Sequence, residues 1–173
     1  MARLLLAALA LLFLVLPVTA FAYHDLQQQV AALINRERAE RGLLPVTFNR
    51  RLSAAAHVQC SDMAAGDFLG HTGSDGANAQ QRIERQGYDW QAYGEILGRE
   101  YEGNAREMVD TWLRSPRHAE VMLSPDYTEF GVSVIHKGVR RATWYWAAVF
   151  GKPLDRKMRT AGSTAAQRKK QLE

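Results

Sequence analysis

The chain of 173 residues has one cysteine, Cys60, and only five prolines. A single thiol cannot close an internal disulfide, so the fold must rest on its hydrophobic core without the cross-links common in small exported domains. A second long apolar run is also missing. Only the N-terminus is a candidate for membrane insertion or targeting. The fold carries no basic excess either. The pI of 9.4 comes from the ends: residues 152–173 have seven basic side chains against two acidic, whereas residues 23–151 have 14 against 16. A nucleic-acid-binding domain would carry positive charge on its fold as a patch or stripe, so specific nucleic-acid binding is not expected. The sequence shows no internal repeat, no low-complexity block, no closely spaced metal motif and no Ser-His-Asp signature.

What is present begins with an export signal. Residues 1–22 hold 19 apolar residues, with Arg3 ahead of the run Leu4–Leu16, Pro17 as a helix breaker and Ala20-Phe21-Ala22 as a small-x-small cleavage site. This places the chain in the periplasm or outside the cell. The division expected is a signal peptide at 1–22, one domain at 23–151, and a basic, disordered tail at 152–173 that can contact anionic lipid or wall polymer.

Helix signals fill the first two thirds of the domain. Asp25 reads as the cap of a helix with Leu26, Val30, Leu33 and Ile34 on one face, ending at Gly42. Asn49 opens a second helix to about Ala65, whose stripe Leu52, Ala56, Cys60 and Met63 makes Cys60 a core residue and not a nucleophile. A third runs from Asn78 to Gln86 and stops at Gly87. A fourth starts at Asn104, with Glu107 in capping-box spacing, and buries Met108, Val109 and Trp112. Pro116 ends it and starts a short helix to Leu123. The period then becomes two. Thr128–Ile135 and Ala142–Phe150 read as strands joined by a turn at His136-Lys137-Gly138, and Tyr93–Gly98 as a shorter strand. Helices first and antiparallel strands last indicate an α+β fold.

Of five histidines, His24 and His136 read as solvated and His57 as a helix residue without a chemical role. His71 stands in the glycine-punctuated loop Phe68–Gly76, and His118 in the first turn after Ser115-Pro116, where the helix dipole favours neutral imidazole. Glu95 lies on a strand between small residues. Two imidazoles and a carboxylate could hold zinc with an open position, or act as an acid/base pair, although positions 71, 95 and 118 carry no short metal spacing. Ser115 ahead of a helix reads as a cap and not a nucleophile. Asp75 reads as a loop-tip turn residue and Asp110 as a solvated helix charge.

The order of several short motifs adds to this reading. These are Leu33-Ile34-Asn35-Arg36-Glu37-Arg38 with Gly42-Leu43-Leu44-Pro45-Val46, Leu52–His57 with Asp62-Met63-Ala64, and Gly70-His71-Thr72-Gly73-Ser74-Asp75-Gly76. They continue with Gly87-Tyr88, Tyr93-Gly94-Glu95, Trp112–His118 and Tyr127–Val132. Together they resemble the CAP superfamily (cysteine-rich secretory proteins, antigen 5 and pathogenesis-related 1), or SCP domains, in its compact bacterial form. The resemblance implies an α-β-α sandwich with a central antiparallel sheet and a cleft lined by two histidines and two acidic residues. His71, Glu95 and His118 match three of these cleft groups. The second glutamate falls at Ser115, and Ile96 stands where the family usually has asparagine. The expected function is therefore a non-catalytic envelope or extracellular binding module for a lipid, small ligand or protein, its cleft able to take a divalent metal such as zinc. The alternative is a metal- or His/Glu-dependent hydrolase, with His71, Glu95 and His118 as catalytic candidates.

Overall fold

The computed structural model describes residues 18–138 and 142–155, with side chains from Asp25 onward. The elements run α1 (Val18–Ala39), β1 (Thr47–Phe48), α2 (Arg50–Gly66), α3 (Ala79–Arg85), β2 (Trp90–Glu100), α4 (Ala105–Arg114), α5 (Pro116–Met122), β3 (Glu129–Lys137) and β4 (Thr143–Pro153). The strands form one sheet in the order β1-β3-β4-β2. The three long strands are antiparallel as expected, but β1 joins parallel to β3, so the sheet is mixed. Two residues are too few to show an alternating pattern, which hides β1 from sequence reading.

Strand alternation divides the core into two layers. On β4, Trp146, Ala148 and Phe150 face one way, joined by Phe130, Val132 and Val134 of β3. They pack with Val30 and Ile34 of α1 and Met108, Val109 and Trp112 of α4. Tyr145, Ala147 and Val149 face the other way, against Leu52, Ala56, Cys60 and Met63 of α2 and Ile83 of α3. With helices on both faces, the molecule is an α-β-α sandwich. The approach of α2 to the sheet depends on Gly131, where a Cβ would lie 1.9 Å from the backbone nitrogen of Ser53.

Several motif residues serve this architecture. Asn35 donates to and accepts from the backbone of Val46, at 3.0 and 2.8 Å. Arg38, 1% exposed, donates to the carbonyls of Leu44, Met122, Ser124 and Tyr127. One guanidinium thus ties the end of α1 to the segment entering β3. On the edge strand β2, the indole of Trp112 donates to Leu97 O and the phenol of Tyr127 to Tyr93 O, each at 2.9 Å. These donors occupy carbonyls that would otherwise invite another chain to pair.

Caps at Asn49, Asn78 and Asn104 stand as expected, the second completed by Gln81 in a capping box. Other boundaries differ. Asp25 is not a cap: α1 already begins at Val18, and Asp25 accepts from Gln29 one turn on. The expected cleavage site lies within this helix, while residues 1–17 are outside the described residues. His136 lies in β3, opposite Trp144, with ring centroids 4.7 Å apart, so the strand runs two residues into the expected turn. β2 reaches from Trp90 to Glu100 because β4 offers partners along that length. β4 continues through Lys152 and Pro153, so the first two residues assigned to the tail belong to the sheet; residues 156–173 lie outside the described residues. Among the described residues no helix is long and apolar enough to cross a membrane.

Candidate functional site

The site is built where the loop after α2 meets β2. Asp67 ends α2 in the left-handed conformation (φ 54°), turning the chain into the loop that carries His71. The amide of Gln59 donates to Gly70 O, and Arg82 of α3 donates to His71 O at 3.1 Å, so both flanks of the histidine backbone are held. Glu95 projects from β2 and is 3% exposed at its side chain, while His71 is 59% exposed.

Between them runs a short polar chain. Arg82, 2% exposed, donates to Glu95 Oε1 at 2.9 Å and Oε2 at 2.7 Å, and to Ala77 O at 2.7 Å. Glu95 Oε1 also lies 2.9 Å from His71 Nδ1. A carboxylate only accepts, so the proton of this bond sits on His71 Nδ1, and Nε2 is the nitrogen left for another partner. A guanidinium matches the charge of Glu95, and the carboxylate in turn orients an exposed imidazole. Sequence reading misses Arg82, because a lone arginine in a short helix ordinarily marks a solvated face.

His118 stands on α5, which packs against β2. Its Nδ1 is buried without a hydrogen-bond partner. Burial, and secondly the charge of nearby His71, lower its pKa from the usual 6.5, so the ring is neutral at pH 7. Neutral imidazole is the expected state, and burial is its first cause.

The remaining candidates separate from this group. The Cys60 thiol is buried against Tyr145 O at 3.0 Å, and burial pushes its pKa up to about 12. Ser115 occupies the N-cap position of α5 but makes no side-chain capping bond, contrary to the expected role. Asp75 accepts from Ala77 N and pairs with Arg85, as a turn residue does; Asp110 pairs with Arg106. Neither fills the place of a second cleft carboxylate. His57 is an exposed helix residue with its Nδ1 3.2 Å from Ser133 Oγ, and the side chain of His24 is outside the described residues.

Among the described residues no group of three or more His, Cys, Asp or Glu side chains is placed to hold an ion. Both oxygens of Glu95 are engaged, Oε1 by Arg82 and His71 and Oε2 by Arg82. Two surface depressions lie elsewhere, of about 270 Å³ beside Gln27, Gln28, Ala31 and Phe48 and about 350 Å³ beside Glu84, Tyr88, Asp89, Trp90 and Leu154.

A mixed sheet between helical layers, with a buried carboxylate on its edge strand that orients an exposed imidazole, defines a small α-β-α sandwich. The profile of the cysteine-rich secretory protein (CAP) family matches residues 31–150, and the chain belongs to that family. The protein YkwD of Bacillus subtilis is 25% identical over 112 residues, covering 65% of this chain but 43% of its own length. This chain therefore spans less than half of that relative. An outer surface protein of Borrelia burgdorferi shares the fold with a TM-score of 0.68 at 21% identity, covering 75% of this chain and 94% of that one. An extracellular SCP-domain protein of Bacillus anthracis superposes with a TM-score of 0.66 at 18% identity, covering 75% and 41%.

Proposed function

We propose that this chain is an exported, non-catalytic binding domain that takes a lipid, small ligand or protein of the cell envelope or its surroundings at the His71/His118 cleft. Export is supported by the apolar segment at residues 1–22 and by the similarity to an outer surface protein and an extracellular protein. The observation that carries the binding reading is the pairing of Glu95 with Arg82. A carboxylate compensated by a buried guanidinium positions its neighbour; a general base needs a pKa near the working pH and access to the proton it takes. The neutral His118 and the oriented His71 offer hydrogen bonds to a polar ligand group.

A divalent metal at this cleft would have the two imidazoles as protein ligands, and it would supply a point of attachment for an anionic or carbonyl-bearing ligand. Calorimetric titration of zinc into the full chain near pH 7, with His71→Ala and His118→Ala as controls, tests the reading. Two imidazoles predict weak binding that disappears in either variant. Tight one-to-one binding lost in both variants would instead favour a metal-dependent hydrolase and call for substrate screens. Contact of the basic segment 156–173 with anionic surfaces is a separate proposal, and unchanged envelope retention after its deletion would remove it.

A further inference from the structure

A second polar cluster lies behind the His71 loop, on the α2 side. A Cβ on Gly73 would stand 2.9 Å from Asp75 Oδ1, 3.2 Å from Asp62 Oδ2 and 3.5 Å from Gln59 Oε1. Three acceptor oxygens, two from α2 and one from the loop, therefore crowd the same space beside a residue without a side chain. Asp62 Oδ2 accepts from Ser74 N and Oδ1 from Ser74 Oγ, each at 2.6 Å; Asp75 Oδ1 accepts from Ala77 N and Oδ2 from Arg85.

Gln59 differs from the carboxylates. It is fully buried, and its Oε1 has no hydrogen-bond partner. The amide cannot relieve this by turning over, because its nitrogen is committed to Gly70 O. A buried amide oxygen that receives no donor thus stands beside two carboxylates, an arrangement that is unfavourable unless a positive group or a water completes it. The carboxylates bring two negative charges, and Arg85 answers only the exposed side of Asp75. All three donors are oxygens, the ligand type of hard divalent cations, and their flexible supply from a helix and a loop suits calcium better than the strict octahedron of magnesium.

We propose that Gln59, Asp62 and Asp75 form a binding site for a calcium-class divalent cation, separate from the His71/His118 cleft. Water fills the remaining coordination positions. Such an ion ties α2 to the loop between Gly70 and Gly76, and so steadies the backbone that presents His71. The site needs no particular function for the cleft and stands whether or not the proposed binding role is right.

Calcium chloride is titrated calorimetrically into the full chain after removal of divalent ions, with thermal unfolding followed in parallel. The expected result is one-to-one binding in the range of extracellular calcium modules, about 10⁻⁴–10⁻³ M. At ten times the dissociation constant the midpoint of unfolding should rise by about 3–6 °C. Asp62→Asn and Asp75→Asn should lose both responses, while His71→Ala and His118→Ala keep them. Asp75 is 57% exposed at its side chain, so its variant folds even where Asp62→Asn does not. No heat and no thermal shift up to about 10 mM calcium would overturn the site, leaving a water among the oxygens. A response that persists in Asp75→Asn and in a folded Asp62→Asn would equally overturn it.

Discussion

Replacing Arg82 with methionine keeps much of the side chain's volume and removes its charge. In the native protein this guanidinium, 2% exposed, makes two bonds to Glu95 and one each to the carbonyls of Ala77 and His71. Its loss leaves a carboxylate with 3% exposure and no countercharge. Breaking one side of a buried ion pair costs about 3–5 kcal/mol, and two carbonyls deprived of a charged donor add about 1 kcal/mol each before water relieves them. The expected destabilisation is therefore about 5–7 kcal/mol, a large part of the total for a domain of this size. Urea unfolding followed by circular dichroism at pH 7 measures it. Glu95→Gln removes the charge from the other side, so the double variant should be less destabilised than the sum of the singles, by about 2–3 kcal/mol. A cost below about 1 kcal/mol for Arg82→Met, or strict additivity, would refute the buried pair as the support of the cleft.

Three further outcomes follow from the packing and ionisation. Gly131→Ala should cost more than about 4 kcal/mol or prevent folding, since the new methyl meets the backbone of Ser53 and not a movable side chain; near-wild-type urea stability would contradict the described approach of α2 to β3. His118 has a folded pKa below its unfolded value of about 6.5, so the unfolded chain binds the proton first. Its contribution is fully present above that pH and is lost as pH falls through the folded pKa; His118→Gln should flatten stability over that interval, and an unchanged slope would show that His118 is not the group responsible. Cys60 should resist iodoacetamide at pH 8 in the native state and react after denaturation, because its thiol is buried and pushed up to about 12; rapid native labelling would contradict its burial.

Much of the fold is legible because single residues report it. Asparagine caps mark three helix starts, and period-two alternation in β3 and β4 separates the layers that the structure fills with α1 and α4 on one side and α2 on the other. Other features depend on partners distant in sequence. The length of β2 is set by β4, which lies beyond α4, α5 and β3 in the chain, and the two-residue β1 exists only through its pairing with β3. The cleft divides in the same way. The loop around His71 and the turn before His118 are visible as glycine and proline punctuation. The role of Glu95 is not, because it depends on Arg82 from α3, and nothing local distinguishes that arginine from a solvated one. Arg38 is hidden likewise, its four carbonyl partners spread over residues 44–127.

The central claim is that Glu95, anchored by Arg82, positions His71 for binding. The protonation pattern of that imidazole tests it most directly. Nitrogen-15 chemical shifts of the His71 ring, recorded on the full chain at pH 8, should show the proton on Nδ1, donated to Glu95, and an unprotonated Nε2. The preference should weaken in Glu95→Gln. A ring protonated chiefly on Nε2, or one indifferent to the state of residue 95, would contradict the account.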